Sequence, residues 1–184
     1  MGYYFLRFYS FFLFNVLSYA QTSWEWVGSS KGKNTNSVIW ELKKLNFLKA
    51  ELPKFSEDFG FGKKRQKSRL DEALITVLSG PPDDIISPNE DSIVLTACRH
   101  HSCDEKGFYW ANSKEKKSAM AIVHFVYQGK FDKTPQLFLA SKNFKCGEYP
   151  AVVKSQIKAW LESKKLNPEK TRCLQDGHVN NKML

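Results

Sequence analysis

Cys98 and Cys103 stand with four residues between them, Arg99, His100, His101 and Ser102, and this short pair constrains the fold more than any other feature of the chain. A bond between them closes a ring too tight for regular structure. It turns a strand end into a small stiff loop that projects an imidazole. In the chain-entropy account such a ring restricts the unfolded chain by about 2 kcal/mol, so its larger effect is to preset a shape. A preset loop with a polar tip suits an inhibitor or a binding module.

Whether that bond forms depends on the compartment. Residues 1–20 carry one charge, Arg7, followed by the apolar stretch 8–17 and the small-residue pattern Ser18-Tyr19-Ala20. This reads as a secretory signal peptide cleaved before Gln21. Ser10 and Asn15 interrupt the stretch, which is too short to span a bilayer comfortably, and no cysteine stands at position 21 to carry a lipid anchor. The expectation is an exported protein, periplasmic or secreted, with no stable membrane span after cleavage. It would comprise one domain over 21–164 and a polar C-terminal tail over 165–184. All four cysteines, Cys98, Cys103, Cys146 and Cys173, follow the signal, and an even count in an oxidising compartment favours two disulfides. Three pairings are possible; Cys98 with Cys103 and Cys146 with Cys173 is preferred.

The formal charge is +9, and much of the excess lies in the basic run at 63–69 and in C-terminal lysines. Such charge favours anionic surfaces through long-range attraction. A solvated loop and a solubilising surface account for it more simply. No nucleic-acid partner and no cofactor is expected.

Along the chain, residues 28–36 are linker-like, and Asn36 or Ser37 is placed to cap a helix in which Ile39, Leu42, Leu45, Leu48 and Leu52 recur at helical spacing until Pro53. The Gly- and charge-rich stretch 55–67 reads as a mobile connection. A second helix begins near Ser68, whose spacing to Asp71 resembles a capping box, and stops at Gly80-Pro81-Pro82. The period then changes: 85–86, 92–97, 107–111, 119–127 and 136–140 read as short strands, with connections that suit an antiparallel meander. Pro150 opens a last amphipathic helix, ending near Ser163, with Val152, Val153, Ile157, Trp160 and Leu161 on one face. The predicted architecture is α+β: two helices, a four- to five-stranded antiparallel sheet, and one C-terminal helix.

These elements resemble the Ivy family, bacterial periplasmic inhibitors of vertebrate c-type lysozyme. The likeness covers roughly residues 68–142. It rests on a helix ending at Ser79-Gly80, a turn and strand through Ile85-Ile86, a strand closing on Thr96-Ala97-Cys98, the pattern Cys-x-x-His-x-Cys, and a strand pair ending near Tyr127. In that family the loop reads Cys-Lys-Pro-His-Asp-Cys. Here Cys98, Arg99, His101 and Cys103 align with cysteine, a basic residue, histidine and cysteine, whereas His100 replaces the proline and Ser102 the aspartate. The resemblance implies an Ivy-like fold and a loop that enters the cleft of a c-type lysozyme. There the imidazole of His101 would bridge the two catalytic carboxyl groups, accepting at one nitrogen and donating at the other. His100 or Arg99 would be a charge partner at the rim and Ser102 a weaker substitute for the aspartate. No bond is made or broken, so the chain is not read as an enzyme.

Vertebrate c-type lysozymes are themselves basic, so this role calls for a locally acidic loop face, for which Asp83, Asp84, Glu90, Asp91, Asp104 and Glu105 are the candidates. Among rival readings, zinc bound by Cys98, His100, His101 and Cys103 has suitable ligands but poor geometry, since six consecutive residues seldom wrap one ion tetrahedrally. A hydrolase using His101 and Ser102 lacks an acid partner. The main alternative is a periplasmic binding module for an anionic envelope component, lipopolysaccharide or an acidic glycan, using the basic run and exposed aromatics, with Phe108-Tyr109-Trp110 as the candidate stacking surface. Core packing is the default for those three and for Trp24 and Trp26. His124 reads as a satisfied sheet residue, and His178 as part of a disordered tail.

Overall fold

The computed structural model describes residues 23–59, 67–125, 135–175 and 178–180. The expected signal peptide, the basic residues at 63–66 and the stretch 126–130 lie outside them. In chain order the elements are α1 (Trp26–Ser29), α2 (Thr35–Lys44), α3 (Phe47–Glu51), the short ribbon β1 (Ser56–Glu57) and β2 (Ser68–Arg69), and α4 (Leu70–Val77). Then come β3 (Ile86–Asn89), β4 (Ser92–Arg99), β5 (Ser102–Asn112), β6 (Lys117–Phe125), β7 (Pro135–Ala140), α5 (Ala151–Ser163), β8 (Lys170–Gln175) and β9 (His178–Asn180).

The helix expected through Leu52 is divided. Asn34, rather than Asn36 or Ser37, caps α2 by accepting the Ser37 N–H at 2.9 Å. Asn46 then takes a left-handed backbone, φ 53°, a conformation asparagine tolerates and a helix cannot continue through. As a result Leu45 leaves the buried series and is exposed, while Val38, Ile39, Leu42, Phe47 and Leu48 stay inside. α4 starts one residue later than Ser68 suggested. Arg69 is its N-cap, with its N–H donated to Glu72 Oε2 at 3.2 Å and its guanidinium paired with Asp71.

β3 to β7 form the predicted antiparallel meander. The sheet is nevertheless larger than the four or five strands expected: seven strands run in the order β3-β4-β5-β6-β7-β8-β9. β8 lies parallel to β7, with α5 making the crossover, and β9 returns antiparallel. The stretch taken for a polar tail, including His178, therefore supplies the last two strands. Its apolar residues are scattered except for the adjacent pair Cys173 and Leu174, too short for any period, and both of these are buried by pairing with Leu139 and Ala140. Cys173 is bonded to Cys146, as Cys98 is to Cys103.

Each face of the sheet has its own core. Ile93, Leu95, Tyr109, Met120, Ile122 and Phe138 pack under α1 to α4, and Val94, Phe108, Trp110, Val123, Leu137 and Leu139 pack under α5 through Val153, Ile157 and Trp160. This double covering explains why β4 and β6 read as nearly continuous apolar runs instead of strict alternation. It also places all three of Phe108, Tyr109 and Trp110 inside, so none is a stacking surface. Trp24 and Trp26 are core as well, both meeting the Phe47 ring edge-on, at 5.0 and 5.4 Å. α4 approaches so closely over β5 that a Cβ on Gly107 would lie 2.6 Å from Val77 Cγ2 and 2.8 Å from Leu78 Cδ2. Among the described residues, no helix is long and apolar enough to cross a membrane.

The Cys146–Cys173 bond closes a segment with a sequence separation of 27 that contains all of α5. Replacing both cysteines by alanine is expected to lower the unfolding free energy by about 3 kcal/mol in a denaturant titration. Amide exchange should show the loss first in β8 and β9.

Candidate binding loop

β4 and β5 are joined by a two-residue turn, His100 and His101, beyond the last pair Arg99 with Ser102. His101 has φ 62°, in the left-handed region that residues other than glycine seldom occupy. Both imidazoles are exposed, and their ring centroids are 3.8 Å apart at an interplanar angle of 57°.

Below the turn the ladder breaks register. Cys98 pairs with Lys106 and Arg99 with Ser102, so one step along β4 corresponds to four along β5. Cys103, Asp104 and Glu105 form the resulting bulge. The disulfide spans its base, with the two Cα atoms 4.8 Å apart, and Lys106 Nζ donates to the Cys103 carbonyl. Bulges re-aim side chains, and here the one re-aimed is Glu105. It is only 6% exposed. Its Oε2 accepts from Arg99 Nη1 at 2.5 Å, and its Oε1 lies 2.5 Å from Nδ1 of His124, which is 2% exposed. The edge of the His124 ring meets Phe59, centroid to centroid 5.9 Å. Burial pushes the Glu105 carboxyl up, but the hydrogen bond and charge of His124, followed by those of Arg99, outweigh it and hold the group below its ordinary value.

The segment before β3 seats the loop from its other side. Gly80 N–H donates to the Cys98 carbonyl at 2.9 Å, Cys98 N–H to Pro81 at 3.4 Å, and Asp83 N–H to Thr96 at 3.1 Å. A Cβ on Gly80 would lie 2.3 Å from Cys98 O and 2.6 Å from His100 N, both backbone atoms, so no side chain fits at this contact. The Asp83 carboxylate accepts from Thr96 Oγ1 at 2.8 Å and from Lys164 Nζ at 2.5 Å, tying the end of α5 to the same edge.

No protein-family model, curated protein or solved structure matches this chain.

All six expected loop residues, Cys98, Arg99, His100, His101, Ser102 and Cys103, are gathered at one hairpin end. Their roles are redistributed. Arg99, expected at the rim, is turned to Glu105. Of the six candidate carboxylates, Glu105 is buried and paired, Asp83 is held by Thr96 and Lys164, and Glu90 and Asp91 sit in the β3–β4 turn at the opposite end of the sheet. Asp104 remains exposed in the bulge beside the loop, whereas Asp84, also exposed, lies back along β4 in a bridge to Asn34. His124 is the participant missed by the sequence reading. A buried histidine in an apolar strand was visible; its partner was not, because Glu105 faces inward only through the bulge.

Two outcomes follow for the loop base. Gly80→Ala should cost about 1–3 kcal/mol in thermal or denaturant unfolding, as overpacking against fixed backbone does. For Glu105, a depressed folded-state pKa means that its ionisation stabilises the fold above the unfolded carboxylate value of about 4.3, and that this stability is lost as pH falls through the folded value. Glu105→Gln should therefore lower stability by roughly 2 kcal/mol at neutral pH and reduce the difference from wild type below about pH 4. Unfolding curves across pH 2–8 measure both.

Proposed function

We propose that this protein is an exported inhibitor of a c-type lysozyme, of the Ivy kind, that inserts the Cys98–Cys103 loop with His101 at its tip into the enzyme's active-site cleft. The observation that carries this reading is the exposed imidazole of His101, set in a left-handed turn at the free end of a hairpin that a disulfide and the Gly80 contact hold from both sides. Little conformational freedom is left for the loop to lose on binding, which favours affinity. A lysozyme cleft offers one carboxyl group kept protonated by an apolar pocket and one ionised. One imidazole can meet both, accepting a proton bond from the first and donating to the second.

Ser102 and His100 complete the contact surface. Ser102 offers a short neutral hydroxyl where a carboxylate would add charge, and His100 rests against the His101 ring, supporting its orientation. Asp104, exposed in the bulge, is the carboxylate beside the loop that is available to a basic partner. Two disulfides among the described residues fit export to an oxidising compartment.

Titrating the purified protein into a lysozyme-driven lysis of peptidoglycan, at low and moderate salt, is the test. Inhibition is expected at micromolar concentration or below, with His101→Ala weakening it by about 30-fold or more, as removal of one partner of a desolvated polar pair does. Absence of inhibition by wild type in either salt overturns the function. Full inhibition by His101→Ala leaves the function standing and overturns the loop mechanism.

A further inference from the structure

Between the β3–β4 edge of the sheet and the C-terminal half of α5 lies a cleft of about 420 Å³. That volume is in the range of small-molecule sites. Val94 and Trp160, both nearly buried, close its base, whereas Ile86 on the edge strand is 52% exposed and gives it an apolar wall. On the helix side it is lined by short or neutral residues, Gln156, Ala159 and Ser163, which helical spacing sets on one face of α5.

The polar groups of the cleft are of both kinds. Lys164 Nζ donates to Asp83 Oδ1 at 2.5 Å and Thr96 Oγ1 to Asp83 Oδ2 at 2.8 Å, so a carboxylate and an ammonium are held side by side. Both stay open to solvent, with side-chain exposures of 31% for Asp83 and 29% for Lys164. The Asp84 carboxylate and the Gln156 amide, which also line the cleft, make no side-chain hydrogen bond or ion pair among the described residues. Two aspartates against one lysine give the lining a formal charge of −1 in a chain of +9. That sign turns away the acidic glycans and phosphates that the basic excess of the chain attracts. A cationic amine would satisfy Asp84 but bring no acceptor for Lys164 or Gln156. A sugar answers both needs, since each hydroxyl donates and accepts, and adjacent ring hydroxyls can meet a carboxylate and an ammonium that stand together. We propose that this cleft binds a short neutral saccharide, with Asp83 and Lys164 on adjacent hydroxyls, Asp84 and Gln156 on a further one, and Ile86 against the apolar C–H face of the ring. It shares no residue with the cystine loop, so it stands whether or not that loop inhibits a lysozyme.

Chitotriose and maltotriose are the probes, titrated into the folded protein and followed by calorimetry and by nitrogen–proton correlation spectra. Binding of at least one of them in the millimolar range or tighter is expected, with shifts centred on the amides of Asp84, Gln156 and Ser163. Gln156→Ala should weaken binding about tenfold through its lost hydrogen bonds. Ala159→Tyr, which fills the cleft from an exposed helix position, should abolish it. Neither position is buried, so both variants should keep the wild-type circular dichroism. The proposal is overturned if neither trisaccharide binds, if both variants bind as wild type does, or if the shifted amides lie away from the cleft. It is equally overturned if trigalacturonate, an acidic trisaccharide, binds as tightly, or if putrescine displaces the bound sugar, which would assign the cleft to cations.

Discussion

Burial of the sheet on both faces is the constraint from which the rest follows. β4, β5, β6 and β7 have no side left for water, since α1 to α4 close one face and α5 the other. A sheet covered in this way has its strand ends, its two edges and the outsides of its helices with which to meet another molecule. The cystine loop is one such end. The same covering draws the aromatic residues of β5 inward and leaves recognition to turns and caps.

Within that frame the loop is positioned by polar contacts on one side and backbone contacts on the other. Glu105 is a carboxylate inside the end of an apolar sheet, tolerable there because Arg99 and His124 both hold it. Gly80, Pro81 and Asp83 run beside β4 and bond to its backbone. The disulfide closes the bulge between these supports. Removing either support would leave the covalent ring intact while loosening the direction in which His101 points, so shape and covalent closure are distinct properties of this hairpin.

Much of this was legible in the residues. Runs of β-branched and aromatic side chains marked the five strands of the meander, and the spacing of apolar residues from Val152 to Leu161 marked the last helix, although of these only Val153, Ile157 and Trp160 are buried and Val152 faces solvent. The two disulfides form the pairing that was preferred among three. What escaped did so for physical reasons. β8 is half-exposed along most of its length and offers only Cys173 and Leu174 to burial, so its strand character comes from β7 beside it and from the bond to Cys146, both distant in sequence. The break at Asn46 is a single left-handed residue inside an otherwise helical apolar pattern. The inward turn of Glu105 depends on a three-residue register slip that no local pattern records.

The left-handed backbone at His101 makes its position a filter on chemistry. Glycine and asparagine enter that conformation at little cost, alanine at more, and β-branched residues at more still. Exchanges to glycine or asparagine would keep the curve of the turn and subtract only the imidazole. Evolution, or an engineer, can therefore vary what this tip says to a partner without altering how it is held out, within a vocabulary limited to side chains the turn will accept.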